Sequence, residues 1–136
     1  MKIKTLVAVL LLSGGVTSTF AQSDCNANSS ISHEAVRAKN YKDAYAPCMA
    51  VLKDCPTLRY YTYTDAQKIL VGLMSQIKDR NSAEYKKLFD ELMAVHDQKM
   101  KYIPEFATKM KGVPSVASAL GTKAVDYLQY APAPDL

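Results

Sequence analysis

From residue 41 onward, apolar side chains recur three and four positions apart, the spacing that gathers them on one face of an α-helix. Tyr41, Ala44, Cys48 and Val51 form the first such run, and Pro56 closes it. Asn40 can cap this helix, with Asp43 at its third position to suit the helix dipole, so a helix is expected to Asp54. Pro47 inside it removes one hydrogen bond, and its place near the first turns predicts a kink or a delayed start, not a break. Upstream, Ser30 can cap a first helix of roughly Ile31 to Lys39 with Ile31, Ala35 and Ala38 inward. The Ser- and Asn-rich residues 22–30 read as an extended lead-in anchored only by Cys25.

Downstream, Leu58-Arg59-Tyr60-Tyr61-Thr62-Tyr63 has the aromatics and threonines of a strand, but residues 64–77 overrule that reading. Thr64 with Gln67 makes a capping box, and Ala66, Ile69, Leu70, Leu73, Met74 and Ile77 keep helical spacing. A third helix is expected from 58 or 64 to 79. Asp79-Arg80-Asn81 turns the chain, and Asn81 with Glu84 signals a new cap. Tyr85, Leu88, Phe89, Leu92, His96 and Met100 then trace one face of a helix ending before Pro104. Residues 104–114, with Pro104, Gly112 and Pro114, read as a loop. Ser115 starts a final helix with Val116, Leu120, Ala124, Tyr127 and Leu128 inward, and 132–136 form a disordered tail.

The stretch from Asn40 to Pro56 resembles the second-helix half of a tetratricopeptide (TPR) repeat: an aromatic opening, a small residue three positions on, packing positions four and seven further, and a terminating proline. The small residue lets two helices of a hairpin approach closely. The expected fold is therefore all-α, an array of antiparallel hairpins, TPR-like and right-handed, with about five helices over residues 22–131. Leu120-Gly121 matches the start of another repeat, so the chain either shortens a longer architecture or self-associates through its C-terminal helix. Residues 22–131 resemble the N-terminal part of exported TPR-like proteins of Gram-negative gut bacteria. The resemblance is carried by Cys25-Asn26-x-Asn28-Ser29-Ser30, by Cys55-Pro56-Thr57-Leu58-Arg59-Tyr60-Tyr61-Thr62-Tyr63 and by Lys123-Ala124-Val125-Asp126-Tyr127. It implies a repeat scaffold that usually continues beyond this length, with no defined activity.

The N-terminus changes the picture of where the protein works. Lys2 and Lys4 precede the apolar run Leu6 to Leu12, and Thr19-Phe20-Ala21 ends it with small residues where a signal peptidase reads. Residues 1–21 are thus expected to be a cleaved signal peptide, since the run is far short of the roughly 20 residues a membrane-spanning helix needs. Removing them takes Lys2 and Lys4 away and leaves 15 basic against 13 acidic side chains, a net charge of +2. That balance argues against nucleic acid as a partner. Export, most simply to a bacterial periplasm, leads to an oxidising compartment, so disulfides come first among readings of the three cysteines. Cys48 and Cys55 on one helix lie about 10 Å apart along its axis, beyond bridging range. Cys25 and Cys55 sit at ends that an antiparallel hairpin brings together, and they form the expected bridge, leaving Cys48 as a buried small hydrophobe. A metal site using Cys48, Cys55 and His33 lacks the paired spacing such sites use.

No metal, phosphate or nucleophile motif appears, no cofactor is implied, and a non-enzymatic role is expected. His33-Glu34 and His96-Asp97 are neighbours in sequence whose side chains point apart on a helix. The suggestive cluster is Arg59, Tyr60, Tyr61 and Tyr63, residue types that concentrate binding energy at interfaces, although alternate tyrosines there can equally fill the gap between hairpins. The functional expectation is a periplasmic protein-protein interaction scaffold that holds a segment of an envelope or secreted protein. A glycan or small-ligand binding module using the same cluster is the alternative: a flat exposed Tyr platform would favour a glycan, a groove of mixed polar lining a peptide.

Overall fold

The structure, a computed structural model, describes residues 17–133, with side chains described for 24–133. Most of the expected signal peptide, and residues 134–136 of the expected tail, lie outside the described residues. Five helices follow one another: α1 Thr17–Arg37, α2 Tyr41–Asp54, α3 Tyr61–Met74, α4 Ala83–Lys109 and α5 Val116–Tyr130, with no strand among the described residues. Each helix packs on the next, and α1 also packs on α3. Short connections make successive helices antiparallel, which gives the expected all-α array.

The α2 register is as the spacing predicts. Ala44 is 0% exposed, Cys48, Val51 and Leu52 are buried beside it, and Ala46 faces solvent. Asn40 caps the helix by accepting from the Asp43 amide at 3.4 Å, while its own amide donates to the Asp43 carboxylate at 2.6 Å. Before it, Lys39 takes a left-handed φ of 57°, with its N–H on Val36 and that of Asn40 on Ala35, which closes the end of α1. The helix runs through Pro47 unbroken. Its core side joins Tyr63, Ala66, Ile69, Leu70 and Met74 of α3 and Tyr85, Phe89 and Leu92 of α4. Each large apolar side chain so buried stabilises the fold by roughly 1.5–3 kcal/mol.

Several helix boundaries differ from expectation. Residues 22–30 are helical, not an extended lead-in, and Ser30 lies inside α1, not at its cap. The inward stripe is Cys25, Ser29, Ser32 and Val36, while Ile31 is 57% exposed and Ala38 faces solvent. Small serines let α1 sit close to α2 and α3, and helical carbonyls absorb hydroxyls: Ser30 donates to Asn26 and Ser32 to Ser29. The third helix starts at Tyr61 and ends at Met74, so Thr64 is not a cap. The N-cap of α4 is Ser82, one residue after Asn81, accepting from the Tyr85 amide at 3.2 Å. That helix continues through Pro104 to Lys109, because Ile103 and Phe106 extend its buried face and offset a proline cost of about 3 kcal/mol.

The largest correction concerns α5. Ser115 caps it as expected, but the register is turned over. Ala119 is its one buried residue, with Lys123, Asp126 and Tyr130 half-buried toward the array. Val116, Leu120, Ala124, Tyr127 and Leu128, expected inward, are all exposed. The charged side chains find partners on α4 and draw that face in, while of the apolar set only Tyr127 touches the array, through Phe89.

Candidate functional site

Cys25 and Cys55 are bridged, with Cα atoms 6.4 Å apart, and the bridge ties α1 to the end of α2. Cys48 remains a free thiol, fully buried, its Sγ donating to the Thr62 carbonyl at 3.6 Å. Burial first, and the nearby Asp65 carboxylate second, push that thiol up to about 12, so it stays protonated at neutral pH.

The bridge also fixes where residues 56–60 leave α2, and this segment carries the four predicted site residues toward α3. They divide by role. Tyr63 is fully buried, its hydroxyl donating to the Pro56 carbonyl at 2.7 Å and its ring set edge-on to Phe106, so it belongs to the core. Tyr60 is half-buried and also meets Phe106 edge-on, with ring centroids 5.4 Å apart. Burial raises the proton affinity of both phenols. Tyr61 is exposed at 37%, its ring against that of His33 at 4.6 Å. Arg59 donates to Tyr61 Oη at 2.9 Å, to Ser29 Oγ at 3.1 Å and to Asn26 Oδ1 at 3.4 Å. Its guanidinium therefore pins Tyr61 and the loop to α1.

Between this segment and the end of α4 lies an open groove of about 470 Å³. Leu58, Tyr60 and Tyr61 form one wall, and Phe106, Lys109 and Met110 the other. Lys109 pairs with Glu105 at 2.7 Å, and that hydrogen bond, with a further one from Thr57, holds the Glu105 carboxyl below its usual range. The groove offers aromatic faces, a thioether and two cations, Arg59 and Lys109, at its rim.

Two histidine-carboxylate pairs escape the sequence because each joins helices about 30 residues apart. His33 Nδ1 lies 2.7 Å from Asp65 Oδ2, and Asp65 is buried. A carboxylate-backed imidazole is half of a general-base arrangement, but the adjacent hydroxyls of Ser29 and Tyr61 bond Arg59 and one another. The second pair is His96 with Asp126, Nε2 to Oδ2 at 2.7 Å, and His96 is 0% exposed. Gln67 donates to the same Asp126 oxygen at 3.4 Å, and the buried Lys99 donates to Gln67 Oε1 at 3.2 Å. Burial lowers the proton affinity of His96 more than Asp126 raises it. The ring is thus neutral with its proton on Nε2, and Nδ1 is buried with no partner. The inward place of His96 is readable from its spacing. Its partner on α5 is not, because the apolar stripe of that helix points away from the pair.

Among the described residues no cluster of His, Cys, Asp or Glu could hold a metal ion, and no helix is long and apolar enough to cross a membrane. No family model, no curated protein and no solved structure matches the chain.

Proposed function

We propose that the protein is an exported, non-enzymatic interaction scaffold of TPR-like type, which holds a segment of an envelope or secreted protein in the groove beside Tyr61. The observation that carries this reading is the groove itself: aromatic and thioether walls with Lys109 at the rim, on a segment braced by the Cys25–Cys55 bridge and by Arg59. A braced groove loses little entropy when it binds, which favours capture of a flexible segment. The bridge itself suits an oxidising compartment, in keeping with export to a periplasm.

A glycan module would need a flat, open aromatic platform. Tyr61 instead leans on His33 with a 43° interplanar angle, and Tyr60 turns its ring toward Phe106. The mixed lining favours a peptide over a sugar ring. The experiment is crosslinking capture from the envelope fraction, identification of the bound protein, and titration of that protein against wild type and Tyr61→Ala. The substitution is expected to weaken binding by about 1 kcal/mol or more while helix content and melting stay unchanged. Undiminished binding by Tyr61→Ala would remove this groove as the site. Loss of retention on a polysaccharide column with protein capture intact would replace the scaffold reading by the glycan one.

A further inference from the structure

Helix α5 is built opposite to an ordinary surface helix. Its two charged side chains turn toward the array, where Lys123 meets Asp97 at 2.5 Å and Asp126 meets His96. Apart from the buried Ala119 and the packing of Tyr130 on the core, the rest of its docking is polar or a tilted ring contact: Arg80 donates to the Gln129 carbonyl, Tyr85 to the Tyr130 carbonyl, and Tyr127 leans on Phe89. The side facing solvent carries no charge at all, and on it Leu128 is 82% exposed, Leu120 55% and Val125 52%. An isolated exposed leucine needs no explanation, but a whole uncharged apolar helix face marks an interaction surface.

We propose that this face pairs with the same face of a second copy, the two α5 helices lying antiparallel about a twofold axis. The chemistry of the face selects this occupant. With no exposed charge on it, the face offers nothing for a charged partner to complement, and two copies meet without repulsion. The sequence is also self-complementary in size. Ala117, Gly121, Ala124 and Leu128 recur at spacings of four, three and four, one line along the helix. With the twofold between Thr122 and Lys123, Leu128 lies over Ala117 of the second copy and Gly121 lies opposite Ala124, while Leu120 and Val125 flank this line on opposite sides, each beside its own counterpart. The one large side chain on the line thus meets a small one, and the small residues let the helices approach closely. Antiparallel packing also sets the two helix dipoles head to tail.

Area places this dimer at the reversible end. Fifteen residues make a helix about 22 Å long, and one face of it buries on the order of half the roughly 800 Å² per partner of a standard interface. The surface is separate from the groove beside Tyr61, and the inference stands whether or not that groove binds a protein.

Sedimentation equilibrium of the purified chain, over concentrations spanning about 1–500 μM, is expected to show a monomer–dimer equilibrium. Leu128→Glu should weaken it by about tenfold or more with an unchanged circular dichroism spectrum. Register is tested independently by oxidising an equimolar mixture of Gly121→Cys and Ala124→Cys chains, which should cross-link much faster than either variant alone. A chain that stays monomeric throughout, a dimer indifferent to Leu128→Glu, or cross-linking equally fast in the unmixed variants would overturn the proposal. So would a monomeric chain whose α5 face instead binds phospholipid vesicles in a Leu128-dependent way.

Discussion

Gly72 lies beneath the ring of Tyr41, and a Cβ added there would overlap that ring. The pair shows how one residue couples a helix opening to its neighbour: the aromatic that starts α2 rests on the missing side chain of α3. Two effects of Gly72→Ala oppose each other. Alanine gains up to about 1 kcal/mol of helix propensity, whereas overpacking costs roughly 1–3 kcal/mol. The overlap reaches Cγ, at the root of the ring, where a small rotation of the side chain gives little relief, so overpacking should win. The expected outcome is a lower thermal midpoint for Gly72→Ala, measured by circular dichroism; a higher midpoint would mean that Tyr41 swings freely into solvent. The same reasoning separates Ala44, fully buried, from the exposed Ala46.

At the scale of elements, legibility in the sequence depends on whether a helix buries its apolar side against its own chain. In α2 it does, and the aromatic, the small residue, the cysteine and the closing proline all fall where their spacing puts them. In α1 half of the buried stripe is serine, so composition speaks for a loop while packing chooses a helix. In α4 Pro104 has the look of a stop and is outweighed by Phe106 two residues later. In α5 the apolar stripe points away from the array, because its docking runs through Asp126 and Lys123. The groove beside Tyr61 is legible only as a tyrosine cluster, since Phe106 and Met110 reach it from a helix expected to have ended. The clasp under α5 makes a pH prediction. Burial depresses the proton affinity of His96 in the folded chain, against the pull of Asp126 and with Lys99 and Lys123 opposing a further positive charge. Protonation would also place an N–H on the unpartnered Nδ1. The unfolded chain therefore takes up this proton first as pH falls below the ordinary value of 6.5. Stability from this group is intact above that value and declines as pH falls toward the depressed folded one, by at most about 1.4 kcal/mol per pH unit. Urea midpoints between about pH 7.5 and 5.5 should fall for wild type and fall less for His96→Gln; parallel slopes would show that His96 does not titrate in that window.

For the whole molecule, most packing runs between helices adjacent in the chain, and the ties that skip a helix are few: α1 on α3, Tyr45 to Glu91 and Gln98 to Leu52 between α2 and α4, and Gln67 to Asp126 between α3 and α5. An array of this kind passes perturbation from neighbour to neighbour and not throughout. Its two ends are fastened by different chemistry: a disulfide with the Arg59 hydrogen bonds at the α1 end, and the His96–Asp126 and Lys123–Asp97 pairs at the α5 end. The bridge closes a separation of 30 residues, a loop whose cross-link contributes on the order of 3 kcal/mol in the chain-entropy model. Reducing it should therefore loosen one end only. Amide hydrogen exchange on the reduced protein is expected to speed up across α1 and the 55–60 segment, less in α3 and in the end of α4 that packs on this segment through Phe106, and not measurably in α5. Asp126→Asn should do the reverse, raising exchange in α5 while leaving α1 protected. Because the Tyr61 groove draws one wall from the disulfide-braced segment, reduction should also weaken the binding proposed for that groove, whereas Asp126→Asn should not. Uniform loss of protection over all five helices on reduction would show that the chain opens as one cooperative unit, and the separate fastening of its two ends would then have no functional meaning.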